Sequence, residues 1–209
     1  MHDLDVTALR GDFPILERTV NGHQLVYLDS GASSHKPVQV IEAMSEYYRE
    51  HHSNVHRGAH QLSSEATALY EEARRKVAAF VGAPTSDSLV FTRNTTEAIN
   101  LVAASWGRAN LGPGDEVVLT HAEHHANLVP WQLLARERGF EIRPVGLTED
   151  LRVDMDALAA TITPRTKLVT TFHMSNVLGT INPVRRIADL AHEVGAVLLI
   201  DGAIVGVFG

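Results

Sequence analysis

The sequence predicts an α/β fold in which helices cover both faces of a mostly parallel sheet. From Ser64 onward, segments with apolar residues at helical spacing alternate with short apolar runs. That alternation is typical of parallel sheets built from strand–helix–strand units. The last run, residues 196–203, reads AVLLIDGA and places five consecutive apolar residues before Asp201. An apolar run of this length after a helical segment predicts a strand that is buried on both faces.

The first sixty residues or so are less regular than the rest of the chain. Their signals are breaks and turn dipeptides, of which Phe13-Pro14 and Asn21-Gly22 are the clearest. The expected elements are, in order, a short helix before Phe13, a turn at Asn21-Gly22, a strand over 26–28, a helix over 37–49 and a loop over 51–60.

From residue 64 onward the predicted helices have apolar residues on one face, and the predicted strands are short apolar runs. Gly82 and Gly195 follow two of these helices as stop signals. The helices are expected over 64–80, 95–106, 128–138, 155–161 and 184–194. The strands are expected over 89–92, 116–121, 141–147, 167–172 and 197–200.

Composition narrows the function classes. The 209 residues are 44% hydrophobic and 21% charged, which is ordinary for a globular protein. A net charge of −7 argues against a nucleic-acid partner, and no apolar run is long enough to span a membrane. The chain has no cysteine, which excludes disulfides, zinc–thiolate sites and a thiol nucleophile from it. Its polar, acidic N-terminus is no signal peptide, so a cytoplasmic location is expected.

Polar groups follow several predicted strands, at the sheet edge where open α/β folds bind ligands. Segment 93–97, RNTTE, has capping-box spacing, and Thr95 and Thr96 there suit an anion site at a helix N-terminus. A well-capped helix without a ligand is the alternative. Segment 121–127 contains three histidines and Glu123, which suit either a stacking surface for an aromatic cofactor or a metal site.

Two further groups complete the set of polar strand ends. Ser175 and Asn176 follow the strand over 167–172, and Asp201 ends the last strand. A phosphate cradle, an imidazole face and a buried acid that face one crevice together predict a site for pyridoxal phosphate. The phosphate needs helix-terminal N–H groups, the ring needs a flat partner, and the ring nitrogen needs a carboxylate.

At these positions the chain closely resembles the Suf-type cysteine desulfurases, a branch of the class V aminotransferases of PLP-dependent fold type I. The matching motifs are collinear and reach Ala203, and EHHANLVPWQ points to the Suf-type branch. They are YLDSGASSHKP (27–37), NVHRGAHQLS (54–63), TRNTTEAINLVA (92–103), GDEVVLTHAEHHANLVPWQ (114–132), HMSNVLGTINP (173–183) and DGA (201–203).

The resemblance implies a cofactor, pyridoxal 5′-phosphate, and a role for each matching residue around it. Thr95 and Thr96 would hold the cofactor phosphate. His124 would stack on the pyridine ring, and Asp201 would pair with the ring nitrogen. Asn176 would contact the cofactor hydroxyl or the substrate carboxylate.

The resemblance also implies a substrate and partners. Ala32, His56 and Arg57 would line the pocket for L-cysteine. In the family, cysteine forms a Schiff base with the cofactor, its sulfur passes to an enzyme cysteine as a persulfide, and alanine is released. The sulfur then reaches iron–sulfur cluster assembly through an acceptor protein of the Suf system, and full-length members are expected to be homodimers.

The chain departs from the family pattern at its end. Ile204 stands where the family has a glutamine that hydrogen-bonds the cofactor's phenolic oxygen, and 204–209 no longer resembles the family. The Schiff-base lysine and the persulfide cysteine would lie beyond Gly209, so no catalytic residue is expected in this chain. A truncated product is therefore expected, with an N-terminal arm over 1–25, part of the small domain, and a partial PLP-binding large domain over 26–209 that lacks the C-terminal strands and the rest of the small domain.

Three alternatives to a desulfurase remain open. The chain is an inactive truncated remnant, or it belongs to another class V enzyme such as a selenocysteine lyase. The third alternative is a metal-dependent hydrolase, which leaves the threonine, asparagine and Asp201 motifs unexplained. Its ligands would be His121, Glu123, His124 and His125.

Overall fold

The computed structural model describes residues 4–204, so the predicted divergent tail beyond Ile204 lies outside the described residues. The chain forms two compact units, one that ends at Val90 and one that begins at Phe91. The division into an arm over 1–25 and a large domain over 26–209 stays a prediction.

The first unit is built from helices and one small hairpin. Strands β1 (Thr19–Val20) and β2 (His23–Gln24) pair antiparallel across Asn21 and Gly22. These two turn residues have φ of 53° and 78°, the left-handed pair that a tight two-residue hairpin requires. The predicted turn is therefore confirmed. The helices are α1 (Val6–Gly11), α2 (Val38–Glu46), which continues as a π-helical turn (Tyr47–His51), and α3 (Gln61–Phe80).

Two predicted strands do not form. Residues 26–28 and 89–92 lie outside every strand of the described chain, and both segments expose large apolar side chains to solvent. Leu28 is 93% exposed and Val90 is 65% exposed. A strand needs a neighbouring backbone to complete its hydrogen-bond ladder, and an apolar run alone does not supply one. Both strand predictions were therefore wrong.

The second unit contains the predicted parallel sheet. Four strands lie in the order β4-β3-β5-β6, and each neighbouring pair is parallel. Their bounds are β3 (Glu116–Thr120), β4 (Glu141–Val145), β5 (Thr166–Phe172) and β6 (Val197–Asp201). The helices of this unit are α4 (Thr95–Val102), α5 (Arg108–Asn110), α6 (Val129–Arg138), α7 (Met155–Thr161) and α8 (Val184–Glu193).

Helix α4 is longer than the predicted 95–106, because it continues through a π-helical turn (Ala103–Gly107) into α5. Gly107 allows this turn to approach α6 closely. A Cβ at position 107 would lie 2.8 Å from Leu134 Cδ2 and 3.2 Å from Trp131 Cζ3. The glycine is therefore required for packing rather than for an unusual backbone angle.

Helices cover both faces of the sheet, as predicted. Successive residues of a strand point to opposite faces, so β3 sends Val117 and Leu119 to one core and Val118 to the other. On the first face α4 and α6 contribute Ile99, Trp131 and Leu134. On the second face α7 and α8 contribute Leu158, Ile187 and Ala191.

Strand β6 differs from its prediction as a strand that is buried on both faces. It lies at the edge of the described sheet and pairs only with β5 there. Val197 is 45% exposed, the next three residues are half-buried, and Asp201 is 6% exposed. The apolar run thus forms an edge strand whose most buried residue is Asp201.

Over residues 4–204, no helix is long and apolar enough to cross a membrane.

Candidate functional site

Three predicted site residues lie at or shortly after the carboxyl ends of neighbouring strands. Strands β3, β5 and β6 are adjacent and parallel, so their carboxyl ends lie side by side. His124 follows β3, Asn176 follows β5, and Asp201 is the last residue of β6. Phe172 pairs with Asp201 in the ladder between β5 and β6. The sheet therefore brings three strand ends to the same edge, and these are followed by or end in an imidazole, an amide and a carboxylate that are far apart in sequence.

Asp201 is the buried member of this set. Its Oδ1 accepts a hydrogen bond from the backbone N–H of Ala203 at 3.0 Å, and its carbonyl oxygen accepts one from the N–H of His173 at 2.9 Å. The carboxylate is thus fixed by its own turn and by the neighbouring strand. A fixed, desolvated carboxylate is suited to pair with a cationic or protonated ring nitrogen.

His124 is exposed, but its imidazole is oriented by the turn that follows it. Nδ1 accepts a hydrogen bond from the backbone N–H of Ala126 at 3.1 Å, which caps a short 3₁₀ turn (His125–Asn127). When the ring is neutral, its proton is therefore on Nε2. The flat face of an oriented imidazole is available at the sheet edge.

Glu123 is a buried carboxylic acid directly before His124, and it is 8% exposed. Its Oε1 accepts hydrogen bonds from Thr120 Oγ1 at 2.6 Å and from the N–H of Phe172 at 3.3 Å. Its Oε2 accepts one from Asn127 Nδ2 at 2.7 Å. Burial raises the pKa of Glu123 to about 7, and the hydrogen bonds from its donors oppose that rise.

The sequence pattern presents Glu123 only as a candidate metal ligand. Over residues 4–204, no three His, Cys, Asp or Glu side chains come together in a way that could hold a metal ion. The hydrolase alternative therefore has no ligand set in the described part of the chain.

The N-terminus of α4 carries the two predicted threonines. Asn94 Oδ1 accepts a hydrogen bond from the N–H of Glu97 at 2.9 Å, so the predicted cap is confirmed. Glu97 Oε2 accepts from the N–H of Arg93 at 2.7 Å, one residue earlier than in a standard capping box. Thr95 and Thr96 begin the helix, where N–H groups lack intrahelical partners. Helix α4 packs against the turn that follows His124.

The loop after β5 is held in a defined shape. Ser175 Oγ accepts hydrogen bonds from the N–H groups of Val177 and Leu178 at 3.2 and 3.0 Å. Asn182 Nδ2 donates to the carbonyl oxygen of Phe172 at 2.9 Å. Asn176, by contrast, is exposed at this loop. The predicted site residue Asn176 is therefore exposed. Ser175, the residue before it, holds the loop in its shape.

The three predicted substrate residues belong to the first unit. Ala32, His56 and Arg57 are exposed. His56 has a φ of 70°, donates its backbone N–H to Thr67 Oγ1 at 2.9 Å, and places Nε2 2.9 Å from Glu71 Oε1. Their assignment to a substrate pocket stays a prediction.

The sequence profile of the Aminotransferase class-V family matches residues 26–205. The chain belongs to this family. A probable cysteine desulfurase of Halobacterium salinarum is 56% identical over 201 residues, which are 96% of this chain and 48% of the relative. A cysteine desulfurase of Dickeya dadantii is 50% identical over 198 residues, 95% of this chain and 48% of the relative. The class-V chain thus spans about half the length of these curated relatives.

Solved structures show the same fold. The apo cysteine desulfurase of Thermococcus onnurineus NA1 matches with a TM-score of 0.87 at 38% identity, over 94% of this class-V chain and 47% of that chain. A cysteine desulfurase of Escherichia coli matches with a TM-score of 0.83 at 40% identity, over 95% of this chain and 48% of that chain. The predicted fold type I architecture is therefore confirmed for the part of the fold that this class-V chain covers.

The polar groups of the site in this chain fit a ligand with three chemical parts. N–H groups at the start of α4 suit an anion such as a phosphate. The oriented imidazole of His124 suits a flat aromatic ring, and the buried carboxylate of Asp201 suits a protonated ring nitrogen. The residues present therefore fit a phosphorylated pyridine.

Proposed function

We propose that this chain supplies the cofactor-binding face of a pyridoxal-phosphate-dependent cysteine desulfurase. The observation that carries the proposal is the convergence of His124, Asn176 and Asp201 at the carboxyl ends of three neighbouring parallel strands, with the Asp201 carboxylate buried there. The sequence identity of 56% and 50% to the two cysteine desulfurases named above supports desulfuration of cysteine as the reaction.

Each residue of the site has a separate task in this proposal. The first N–H groups and hydroxyls of α4, at Thr95 and Thr96, bind the phosphate and fix the depth of the cofactor. His124 covers one face of the ring and excludes water from it. Asp201 accepts a hydrogen bond from the ring nitrogen and keeps a proton there. When bound, pyridoxal phosphate supplies a pyridine ring that withdraws electrons from the Cα of an amino acid.

The proposal includes a place for the substrate. Ala32, His56 and Arg57 would contact L-cysteine, and Asn176 would contact either the cofactor hydroxyl or the substrate carboxylate. An arginine suits the carboxylate of an amino acid, since its guanidinium donates charge-assisted hydrogen bonds. The motifs that contain these residues support this assignment.

The branch and the partners of the reaction are also part of the proposal. The EHHANLVPWQ motif supports a Suf-type desulfurase, which would act as a homodimer and deliver sulfur to an acceptor protein for iron–sulfur cluster assembly in the cytoplasm. The sequence contains no cysteine, so a persulfide would need a thiol from outside these 209 residues.

Binding of pyridoxamine 5′-phosphate tests the cofactor site. This probe is an amine and does not form Schiff bases with the three lysines of the chain, Lys36, Lys76 and Lys167. Calorimetry should show saturable binding with one site per chain, and pyridoxamine without phosphate should bind at least about tenfold more weakly. Asp201→Asn should weaken binding by a similar factor, while Asp189→Asn on exposed surface should not. Equal affinity for both probes, or no effect of Asp201→Asn, would contradict the proposal.

A further inference from the structure

Glu123 belongs to a buried polar network that the proposed function does not use. Besides its three donors, the network continues through Asn127, whose Oδ1 accepts hydrogen bonds from Thr170 Oγ1 at 2.8 Å and from Trp131 Nε1 at 3.2 Å. All of these side chains are buried. The network therefore connects the end of β3, the end of β5, the 3₁₀ turn and α6.

In this network each hydrogen-bond donor faces an acceptor. Thr120, Asn127 and the backbone of Phe172 all donate to the Glu123 carboxyl group. Asn127 directs its oxygen toward two donors, and its NH₂ group is thereby directed toward Glu123. A carboxylate accepts on both oxygens, so it satisfies donors on both sides at once.

Burial of a carboxyl group at this position costs free energy unless the group accepts hydrogen bonds that an apolar side chain could not accept. Burial of an acid disfavours its charged form, and a residue whose only task is to fill space needs no acceptor. Glu123 instead holds the two segments on either side of His124. Before it lies Thr120 at the strand end, and after it lies Asn127, whose turn contains the Ala126 N–H that His124 Nδ1 accepts.

We propose that Glu123 is a positioning residue for His124. By fixing both ends of segment 120–127, its carboxyl group holds the Ala126 N–H against Nδ1 and so keeps the imidazole in the Nε2–H tautomer at the sheet edge. That His124 faces a bound ring rests on the proposed function above. The orientation of the imidazole itself does not depend on a ligand.

The variant Glu123→Gln separates this role from space filling. Its oxygen can face Thr120 and Phe172, but its NH₂ group then meets the NH₂ group of Asn127. Asn127 cannot reverse without losing its bonds from Trp131 and Thr170. At least one buried donor is left without an acceptor, while the shape of the side chain is kept.

Thr120→Val is a second and milder variant. It removes one donor to Glu123 and preserves the branched shape of the side chain, so it remains informative even if Glu123→Gln does not fold. Glu149→Gln is the matched control, because it makes the same chemical change at an exposed position between β4 and α7.

Two readouts test the proposal on the full 209-residue chain. Imidazole nitrogen NMR reports the tautomer of His124, whose signals are assigned by their loss in His124→Gln. The wild type and Glu149→Gln should show the Nε2–H form, and Glu123→Gln and Thr120→Val should show a mixture of both tautomers. Pyridoxamine 5′-phosphate should bind about tenfold more weakly to Glu123→Gln than to the wild type.

The two readouts distinguish failure of the inference from failure of the proposed function. A change of tautomer in a chain that binds no pyridoxamine 5′-phosphate would support positioning and count against the cofactor site. Folded Glu123→Gln and Thr120→Val variants that retain the wild-type tautomer would overturn the inference. A change of tautomer in Glu123→Gln together with a probe affinity within about twofold of the wild type would support positioning and count against a ring bound at His124.

Discussion

At the scale of single residues, Glu123 links protonation to stability. Its pKa is raised from 4.5 to about 7, chiefly by burial, so the folded chain binds more protons than the unfolded chain between these pH values. The contribution of Glu123 to stability is therefore fully present below about pH 4.5 and is lost as the pH rises toward 7. The size of the change is on the order of 3 kcal/mol.

Denaturant unfolding of the wild type and Glu123→Gln across this pH range measures the effect. The difference between their free energies of unfolding should favour the wild type more at pH 5 than at pH 8, because glutamine does not titrate. Taking the difference removes the contribution of other groups that titrate alike in both chains. A difference that does not change between pH 5 and pH 8 would contradict the assigned pKa.

The site residues differ in how far the sequence reveals them. The apolar runs predict polar groups at neighbouring strand ends, and the resemblance to the family singles out His124, Asn176 and Asp201 among them. The role of Glu123 was missed, because one of its donors is the backbone N–H of Phe172, 49 residues further along the chain. A local sequence pattern cannot predict a hydrogen bond between residues that only the pairing of strands brings together.

At the scale of elements, the close approach of the turn at Gly107 to α6 makes a sharp packing prediction. Gly107→Ala should lower the free energy of unfolding by about 1–2 kcal/mol, because the new methyl group overlaps the buried side chains of Leu134 and Trp131. The overlap outweighs the gain in helix propensity that alanine normally brings.

Gly112→Ala is the matched control for that variant. A Cβ at position 112 would meet no atom within 4 Å, and Gly112 does not have a left-handed backbone angle. Its free energy of unfolding should stay near the wild-type value or rise slightly. Chemical denaturation of both variants checks the pair, and equal stability of Gly107→Ala and Gly112→Ala would refute the packing argument.

The predicted strands that form are those that have a ladder partner in the same unit. Strands β3 and β5 are covered on both faces by helices, and their positions follow from their apolar runs. Residues 26–28 and 89–92 have similar runs but no ladder partner in the described structure. Whether an apolar run becomes a strand depends on a neighbour that the run itself does not specify.

At the scale of the whole molecule, the chain alone is expected to be inactive as a desulfurase. In the proposed reaction the sulfur of L-cysteine passes to an enzyme thiol, and the sequence has no cysteine. Incubation with L-cysteine and pyridoxal phosphate should form alanine no faster than the cofactor alone, whereas a full-length cysteine desulfurase should form it catalytically. Catalytic alanine formation by the 209-residue chain would show that the reaction does not need that thiol.

The central claim is that one edge of the sheet forms a cofactor site, and backbone amide NMR during titration with pyridoxamine 5′-phosphate tests it most directly. The largest saturable shifts should fall on Thr95, Thr96, His124, Asn176 and Asp201, which belong to α4 and to the carboxyl ends of β3, β5 and β6. The amides of Glu116, Glu141 and Thr166, at the opposite ends of the strands, should not move. Shifts at those opposite strand ends, or none at the five site residues, would contradict the account.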